Sequence, residues 1–281
     1  MIDRRLLIER IDSAIAEDFV GNVDVTTAPT IPITQRCIGE FRTRKAGVIS
    51  GIDVAIVVLD RVCKGGYEII SRISDGNAVG KDVTILKVSA LTRELLVAER
   101  TALNFLSRLS GISSATRIWA EAVAGTQAKI RDTRKTTPGW RDLEKYAVLC
   151  GGGVNHRLNL AESALVKDNH IAAVGGITHA VRAIRSQFPD LLIEVEIDRI
   201  DQLEEAITSG VAEVLLDNMT PEQCAQVVAI NGGRVKLEAS GGITLETVRS
   251  YAEAGVDFIA VGAITHSAPI LDIGLDISEV L

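Results

Sequence analysis

The feature that most constrains the fold is a regular alternation of short apolar runs and helical stretches over the second half of the chain. Five successive runs end in a polar or glycine residue, and those ends are separated by 29, 21, 21 and 24 residues. This spacing is typical of a βα repeat, in which each parallel strand is followed by a right-handed crossover through a helix. Such repeats close into a barrel or open into a doubly wound sheet. The strand ends are Lys167, Glu196, Asp217, Glu238 and Gly262. Together with an earlier run at 128–131, six strands are predicted, the others at 164–167, 191–197, 213–216, 235–237 and 258–261. The helices predicted between them are 143–149, 178–186, 200–209, 221–230 and 244–254.

The run LLIEVEI at 191–197 favours the barrel. Side chains alternate between the two faces of a strand, so Glu194 and Glu196 share one face and the apolar residues between them share the other. A sheet covered by helices on both faces would bury these carboxylates against apolar surface, whereas a barrel can turn them toward a polar mouth. Barrel enzymes keep their chemistry at the carboxyl ends of the strands. The polar strand ends are therefore candidate site residues.

The first hundred residues follow a different pattern, typical of a small α+β domain. A strong helical pattern over 93–109 leads through Gly111 to a second predicted helix that ends near Gly125. These helices are predicted to connect the small domain to the barrel. The predicted elements before them are a helix over 6–17 and strands over 37–42, 67–73 and 84–88.

The overall charge is not that of a protein that binds nucleic acid or an anionic membrane. The chain has 30 Lys and Arg residues against 37 Asp and Glu residues, a net charge of −7, and 47% hydrophobic residues. The first residues, MIDRRLLIERID, never develop the apolar segment of a signal peptide, and no apolar run approaches the roughly 18 residues of a membrane span. We therefore expect a globular, cytoplasmic protein that binds any anion through a local cluster of cations.

Such a cluster is found between residues 131 and 170. It contains seven Lys and Arg residues against five Asp and Glu residues, within the glycine- and threonine-rich turns DTRKTTPG at 132–139 and GGGVNHR at 151–157. A solvated surface is the simpler explanation for an ordinary run of charges. The turn context favours a ligand with several carboxylates or phosphates, because arginine binds these groups bidentately and lysine adds a mobile point charge.

Glycine-rich turns follow the last two predicted strands. EASGGI at 238–243 opens a helix after one strand, and VGA at 261–263 follows the next. Backbone N–H groups in such turns form the usual phosphate site of a barrel. A need for positive φ is a sufficient explanation for either turn alone. Two such turns after successive strands favour a phosphate-binding site.

Glu196 and Asp217 lie at neighbouring strand ends. Their carboxylate oxygens suit a hydrated Mg²⁺ ion or sugar hydroxyls, and ion pairing with Lys167 or Lys236 is the structural alternative. The chain has no Walker loop, no GxGxxG after a first strand, no HExxH and no GxSxG. The common nucleotide, zinc and serine-hydrolase sites are therefore excluded.

Seven ordered segments of the chain form a specific pattern: AERTALNFLSRLSG (98–111), DTRKTTPG (132–139), EKYAVLCGGGVNHR (144–157), LVKDNHI (165–171), LLDNM (215–219), EASGGI (238–243) and VGAITHSAP (261–269). Two further segments, DVTT at 24–27 and KAGVISG at 45–51, extend the pattern over nearly the whole chain. Together these segments resemble the quinolinate phosphoribosyltransferase family, decarboxylating enzymes that make nicotinate mononucleotide in NAD synthesis.

This resemblance implies an α/β fold with an N-terminal α/β sandwich domain and an incomplete, open α/β barrel. We assign the sandwich domain to 1–111 and the phosphoribosyltransferase barrel to 112–267, with 268–281 as a segment able to pack back on the first domain. The implied assembly is a homodimer, or a higher oligomer, whose active site includes residues from the neighbouring subunit. The implied substrates are quinolinate and 5-phosphoribosyl diphosphate, with Mg²⁺ and no organic cofactor.

The resemblance also implies a role for individual residues. Arg100 matches an arginine that the partner subunit delivers, and Glu196 and Asp217 match an acidic pair near the ribose and the Mg²⁺ ion. The implied catalytic residues are Lys135, Lys167, Glu196 and Asp217. The implied pocket for the quinolinate carboxylates and the diphosphate comprises Thr133, Arg134, Lys135, His156, Arg157 and Lys167. The implied cradle for the 5-phosphate comprises Ser240, Gly241, Gly242, Val261, Gly262 and Ala263.

Three other interpretations stay open at this point. A related protein encoded with molybdenum transport has a similar fold, although it would have no need for both carboxylate clamps. A Schiff-base aldolase would use Lys167 as its nucleophile. A barrel that only binds a phosphorylated metabolite would keep the glycine turns without requiring the acidic pair and the cations together.

Overall fold

The computed structural model describes residues 2–281, which form two compact units. The second unit comprises Ile118–Arg141 and Gly153–Ser267. The first unit contains the rest of the chain: the residues up to Arg117 together with Asp142–Gly152 and Ala268–Leu281. The segment 142–152 thus belongs to the first unit, although the predicted boundaries assigned it to the barrel domain.

An antiparallel sheet organises the first unit. Its four strands are β1 (Arg36–Thr43), β3 (Glu68–Arg72), β5 (Thr84–Leu91) and β12 (Ile273–Val280), and the short strands β2 (Gly47–Val48) and β4 (Ala78–Val79) form a separate pair. The strand order is β12-β1-β5-β3. The C-terminal strand pairs with β1 in a register that sets Ile273 opposite Thr43. The last residues of the chain therefore complete the sheet of the first unit.

Five helices of the described chain lie wholly or mainly in this unit. They are α1 (Arg4–Asp18), α2 (Thr27–Thr30), α3 (Ile52–Cys63), α4 (Thr92–Ala122) and α5 (Arg141–Cys150), with a 3₁₀ turn at Val20–Asn22. Of these, α3 packs against β5 and α1 packs against α3. Asp75 caps the N-terminus of α3. Its carboxylate accepts hydrogen bonds from the N–H groups of Gly51 and Ile52 at 2.9 and 3.1 Å. The apolar stripe of α3, including Val58 and Leu59, is fully buried. No helix within residues 2–281 is both long and apolar enough to cross a membrane.

Gly111 does not end a helix, and the prediction of two helices around it was wrong. The helix α4 is continuous over 31 residues. A Cβ atom at this position would lie 2.8 Å from Cα of Ile270 and would also meet the carbonyl oxygen of Pro269. Glycine is therefore needed here because another backbone segment packs directly against the helix. Sequence alone cannot separate this reason from a helix end.

A parallel six-stranded sheet organises the second unit. The strand order is linear and all neighbouring strands are parallel. Each of the six predicted apolar runs forms one of these strands. In spatial order they are β6 (Lys129–Arg131), β11 (Phe258–Ala260), β10 (Lys236–Ser240), β9 (Glu213–Asp217), β8 (Ile193–Ile197) and β7 (Ala164–Val166).

Helices follow these strands as the βα repeat predicts. They are α6 (Asp168–Val174), α7 (Ile177–Gln187), α8 (Leu203–Thr208), α9 (Pro221–Asn231), α10 (Val248–Glu253) and α11 (Ala263–His266), with a 3₁₀ turn at Ile200–Gln202. The helix predicted over 244–254 begins only at Val248. The Thr247 hydroxyl accepts a hydrogen bond from the Thr244 N–H at 3.0 Å, which favours a turn at this point.

The parallel sheet is curled into an open barrel. Val154 forms an isolated parallel bridge with Arg131, so the segment that carries His156 runs beside the edge strand β6. In a flat sheet, five strand spacings, about 24 Å, would separate this segment from β8. Nevertheless, His156 Nε2 lies 2.8 Å from Glu194 Oε2. Only a strongly curved sheet brings them together, which confirms the predicted open α/β barrel.

Candidate active site

A cavity of about 420 Å³ opens at the carboxyl ends of the barrel strands. Nine of the predicted site residues line it. They are Thr133, Arg134, Lys135, His156, Arg157, Lys167, Glu196, Asp217 and Ser240, and Leu165, Leu215, Glu238 and Ala260 complete the wall. The curvature of the sheet thus brings the nine predicted residues from six separate segments of the barrel into one pocket.

Arginine side chains make one side of the pocket strongly cationic. Burial and the nearby charge of Arg134 lower the pKa of Arg157, while the carboxylate of Glu194 acts in the opposite direction. Within the described part of the chain, the buried Nε atoms of Arg134 and Arg157 have no hydrogen-bond partner. Two half-buried guanidinium groups that line one cavity and repel each other favour the binding of an anion between them.

A fully buried aspartate joins the two loops that carry these cations. The Asp132 carboxylate accepts a hydrogen bond from the His156 N–H at 2.8 Å and another from Asn155 Nδ2 at 2.6 Å. Within the first loop, the Thr133 hydroxyl accepts from the Lys135 N–H at 3.0 Å. Asp132 is not among the site residues predicted from the sequence, although its place between the end of a strand and the cations is a signal that could have identified it.

Carboxylates make another side of the pocket acidic. Lys167 Nζ lies 3.4 Å from Glu196 Oε2, and Asp217 Oδ2 accepts a hydrogen bond from Asn218 Nδ2 at 2.7 Å. Burial and the charge of Asp217 raise the pKa of Glu196, whereas Lys167 lowers it. The ion pair between Glu196 and Lys167, which the sequence offered as the structural alternative to a ligand site, is therefore present. Lys236 pairs with Asp257 instead, at 2.7 Å.

The two glycine turns differ in their backbone conformation. Gly241 and Gly242 have φ angles of +96° and +62°, which favour glycine. Gly262 has a φ of −67°, so positive φ does not explain it. A Cβ atom at Gly262 would lie 3.1 Å from Cδ of Lys135, so this glycine leaves room for the lysine side chain.

Some predicted site residues lie outside the cavity wall. Gly241, Gly242, Val261, Gly262 and Ala263 belong to the two turns beside the pocket and are not among its lining residues. Arg100 lies in the first unit, on α4, with 61% of its side chain exposed. The structure therefore brings together the cations, the acidic pair and Ser240, but leaves Arg100 as an exposed surface residue.

His156 uses both ring nitrogens within the protein. Its Nδ1 accepts a hydrogen bond from the Arg157 N–H at 2.7 Å, and its Nε2 lies 2.8 Å from Glu194 Oε2. Because Nδ1 accepts, the ring proton is on Nε2 and is donated to Glu194. In this conformation the ring offers neither nitrogen to a ligand in the pocket.

At the base of the pocket and below it, charged side chains fill the barrel interior. Arg131 Nη1 donates to Glu213 Oε2 at 2.7 Å and to Glu238 Oε2 at 2.8 Å, and its guanidinium lies 3.5 Å above the Phe258 ring. Burial and the charge of Glu194 raise the pKa of Glu238 to about 7. Glu194 itself is only 4% exposed. The expectation that this carboxylate turns toward the mouth of the barrel was therefore wrong, because its strand position is one layer below Glu196.

Comparisons with known proteins identify the family. Models of the N-terminal and C-terminal domains of quinolinate phosphoribosyl transferase match residues 24–110 and 112–276. The chain is 48% identical over 273 residues to a nicotinate-nucleotide pyrophosphorylase [carboxylating] of Mycobacterium leprae, covering 96% of each chain.

Solved structures agree with this match. The nicotinate-nucleotide pyrophosphorylase from Francisella tularensis superposes with a TM-score of 0.95 at 34% identity, over 99% of this chain and 98% of that one. The enzyme of the same name from Ehrlichia chaffeensis gives a TM-score of 0.92 at 40% identity, over 99% of both chains. The pocket of cations and carboxylates therefore lies in the barrel of a chain that belongs to the quinolinate phosphoribosyltransferase family.

Proposed function

We propose that this chain transfers the phosphoribosyl group of 5-phosphoribosyl diphosphate to quinolinate and releases CO₂ and diphosphate, giving nicotinate mononucleotide for NAD synthesis. The observation that supports the assignment of this reaction to the pocket is the pair of half-buried guanidinium groups of Arg134 and Arg157, which line the same cavity and repel each other. A substrate with two carboxylates on adjacent ring carbons satisfies both groups and relieves their repulsion.

The cations bind the acceptor and the leaving group. Arg134 and Arg157 bind the two carboxylates of quinolinate, and Thr133, Lys135, His156 and Lys167 complete the pocket around the ring and the diphosphate. Arg157 reaches this position because its Nη1 donates to the carbonyl oxygen of Ser163 at 2.7 Å. Positioning the pyridine nitrogen over the anomeric carbon is the main contribution of these groups.

The two glycine turns bind the 5-phosphate. The first turn provides Ser240, Gly241 and Gly242, and the second provides Val261, Gly262 and Ala263. The Asn218 N–H donates to the carbonyl oxygen of Ser240 at 2.8 Å and so holds the first turn beside the end of β9. Backbone N–H groups at such turns favour phosphate because each carries a partial positive charge.

The acidic pair stabilises the positive charge that develops at the anomeric carbon. In the transfer step the bond between this carbon and the diphosphate oxygen breaks, and a bond to the pyridine nitrogen forms. Glu196 and Asp217 lie on the pocket wall and favour a cationic ribose, while Lys135 and Lys167 stabilise the leaving diphosphate. No protein nucleophile takes part.

Decarboxylation follows from the charge on the ring. Once the ring nitrogen is alkylated it is positively charged. The bond to the adjacent carboxylate then breaks, and its electron pair stays on the ring carbon beside the cation until that carbon takes up a proton from water. The protein contributes by holding the other carboxylate in place, so that the ring cannot rotate within the pocket.

Glu196 and Asp217 also fit a Mg²⁺ ion. They present hard carboxylate oxygens at neighbouring strand ends on a polar wall, which is the donor set that Mg²⁺ accepts together with waters and substrate phosphates. When bound, the ion neutralises charge on the diphosphate.

A homodimer completes the site. Arg100 has no role in the pocket of its own barrel, and its exposed guanidinium lies 4.0 Å from the nearest carboxylate, that of Glu99. It is available to the pocket of a neighbouring subunit. We expect the dimer, or a higher assembly of it, in the cytoplasm.

The test is a product assay with the purified protein, Mg²⁺ and 5-phosphoribosyl diphosphate. Quinolinate should release equal amounts of CO₂ and diphosphate, and nicotinate, which lacks the second carboxylate, should release neither. If neither compound reacts while phosphoribosyl diphosphate still binds, the proposal is wrong and the barrel is a binding protein or a related enzyme with another acceptor.

A further inference from the structure

The charged interior of the barrel needs an explanation beyond stability. Barrel interiors are usually packed with branched apolar side chains, and burying a charge without a well-placed partner is costly. Glu194 and Glu238 are 4% and 1% exposed, and an oxygen of each, Oε1, has no hydrogen-bond partner in the described chain. Such groups are retained where they hold a neighbouring site in one conformation.

A metal ion does not explain this cluster. Ligand atoms of His156, Glu194 and Glu238 lie within 4.8 Å of one another. However, the Nδ1 atom of His156 already accepts the Arg157 N–H, so Nε2 carries the ring proton and has no lone pair for a metal. The cluster therefore orients the histidine ring.

The histidine ring in turn holds Arg157. The Arg157 side chain and His156 separate the 420 Å³ pocket from a second cavity of about 200 Å³, and both cavities are lined by these two residues. Because there is open space on both sides, packing alone cannot fix Arg157. Its backbone N–H donates to the His156 ring, the ring contacts Glu194, and the guanidinium Nη1 donates to the carbonyl oxygen of Ser163 at 2.7 Å. The contact between Glu194 and His156 therefore fixes the backbone from which the Arg157 side chain extends.

We propose that Glu194 is a positioning residue for substrate binding, which acts through His156 to hold Arg157 where it can bind a pyridine carboxylate. Glu194 lines the second cavity and not the substrate pocket, so it has no direct contact with a bound ligand. This inference rests on the proposed function, since it assigns Arg157 to the carboxylates of quinolinate.

The first test compares three substitutions of Glu194 by calorimetric titration with quinolinate and, separately, with Mg²⁺ and 5-phosphoribosyl diphosphate. Glu194→Ala and Glu194→Asp lose the contact, the second because its carboxylate is one methylene shorter. Each should raise the Kd for quinolinate about tenfold or more and change the Kd for phosphoribosyl diphosphate less than about twofold. Glu194→Gln keeps an oxygen within reach of Nε2–H and should stay within about threefold of wild type.

Glu213→Ala is the matched control. Glu213 is the register partner of Glu194 on the neighbouring strand and binds Arg131 instead of His156. Its loss should change the Kd for quinolinate less than about twofold. A double-mutant cycle adds a direct test: Glu194→Ala should cost nothing further in a His156→Ala background, because the effect passes through the histidine.

The outcomes separate this inference from the proposed function. A wild-type protein that does not bind quinolinate contradicts the proposed function itself. If wild type binds, equal Kd values for the Glu194→Asp and Glu194→Gln variants overturn the inference, even where the alanine variant fails to fold. The inference is also overturned if the effects of Glu194→Ala and His156→Ala on the Kd for quinolinate are additive. It is overturned as well if Glu213→Ala weakens quinolinate binding as much as Glu194→Ala does.

Discussion

The sheets of the two units differ in the side chains that they bury, although the first unit also buries the charged residues Glu144 and Lys145 of α5. In the first unit the helices and the antiparallel sheet bury apolar side chains such as Phe41, Ile85 and Leu106, none of which has any exposed surface. In the second unit the strand residues that face the barrel interior include Arg131 and Glu238, 8% and 1% exposed. Apolar burial stabilises a fold directly, whereas buried charges contribute little stability and hold neighbouring groups in defined positions. Substitutions in the first interior should therefore change stability, and substitutions in the second should change chemistry or its pH dependence.

The largest effect should come from the apolar interior. Phe41→Ala removes a fully buried ring from β1 and should lower the free energy of unfolding of the first unit by about 3–5 kcal/mol. Urea unfolding followed by circular dichroism measures this loss. The Kd for 5-phosphoribosyl diphosphate, measured well below the melting temperature, should remain unchanged. A loss of stability below about 1 kcal/mol would mean that the two interiors do not differ as described.

The buried charged residues of the barrel should make the stability of the protein depend on pH. The pKa of Glu238 is raised to about 7 in the folded protein, above the usual value of 4.5. The folded protein therefore binds a proton on Glu238 more tightly than the unfolded chain does, and this proton binding stabilises the fold. The stabilisation is fully present below about pH 4.5 and is lost as the pH rises through 7, a change on the order of 3 kcal/mol.

Glu238→Gln tests this pH dependence because it keeps the shape of the side chain without its titration. As the pH rises from 5 to 8, the unfolding free energy of the variant should increase relative to that of wild type. Urea unfolding at several pH values measures it. A difference that does not depend on pH would contradict the raised pKa.

The cations at the barrel mouth should affect the reaction and not the fold. Arg157→Ala or Lys135→Ala should lower kcat/KM for quinolinate at least tenfold, since each removes a charge-assisted contact worth about 1.5–3 kcal/mol. Melting temperatures should stay close to wild type. Lys129→Ala is the control, because Lys129 is an exposed cation at the opposite end of β6. Unchanged kinetics in both pocket variants would refute the pocket assignment.

A helix cap in the second unit should have the smallest effect. The Thr220 hydroxyl accepts a hydrogen bond from the Gln223 N–H at 3.3 Å, and the Gln223 side chain accepts one from the Thr220 N–H at 2.9 Å. Thr220→Ala should lower the free energy of unfolding by about 1 kcal/mol and leave kcat/KM unchanged. Thr220→Ser keeps the hydroxyl and should restore most of the loss. A kinetic defect in the alanine variant would show that this helix also supports the site.

Much of the barrel could be predicted because its signals are local. Short apolar runs predicted all six strands of the parallel sheet, and the spacing of their polar ends predicted the βα repeat. Errors arose where a residue serves a distant partner. Gly111 resembles a helix end but makes room for the backbone of Pro269, and Glu238 resembles a strand end but lies in the barrel interior, one layer below Ser240.

The site was predicted as a set of residues but not as an arrangement. Cations in glycine-rich turns indicated an anion pocket, and nine predicted residues line one cavity. The ring orientation of His156 and the positioning role of Glu194 could not be predicted, because these residues are 38 positions apart in sequence and meet only across the curled sheet.

The amino-acid sequence by itself determined the parallel strands, the placement of polar residues at their carboxyl ends and the local excess of positive charge. These properties depend on side-chain periodicity and on residues close together in the chain. Only the tertiary structure decided which charges are paired and which residues lie below the mouth of the pocket. Those outcomes depend on contacts between distant segments, whose energy is set by burial and geometry that no local pattern contains.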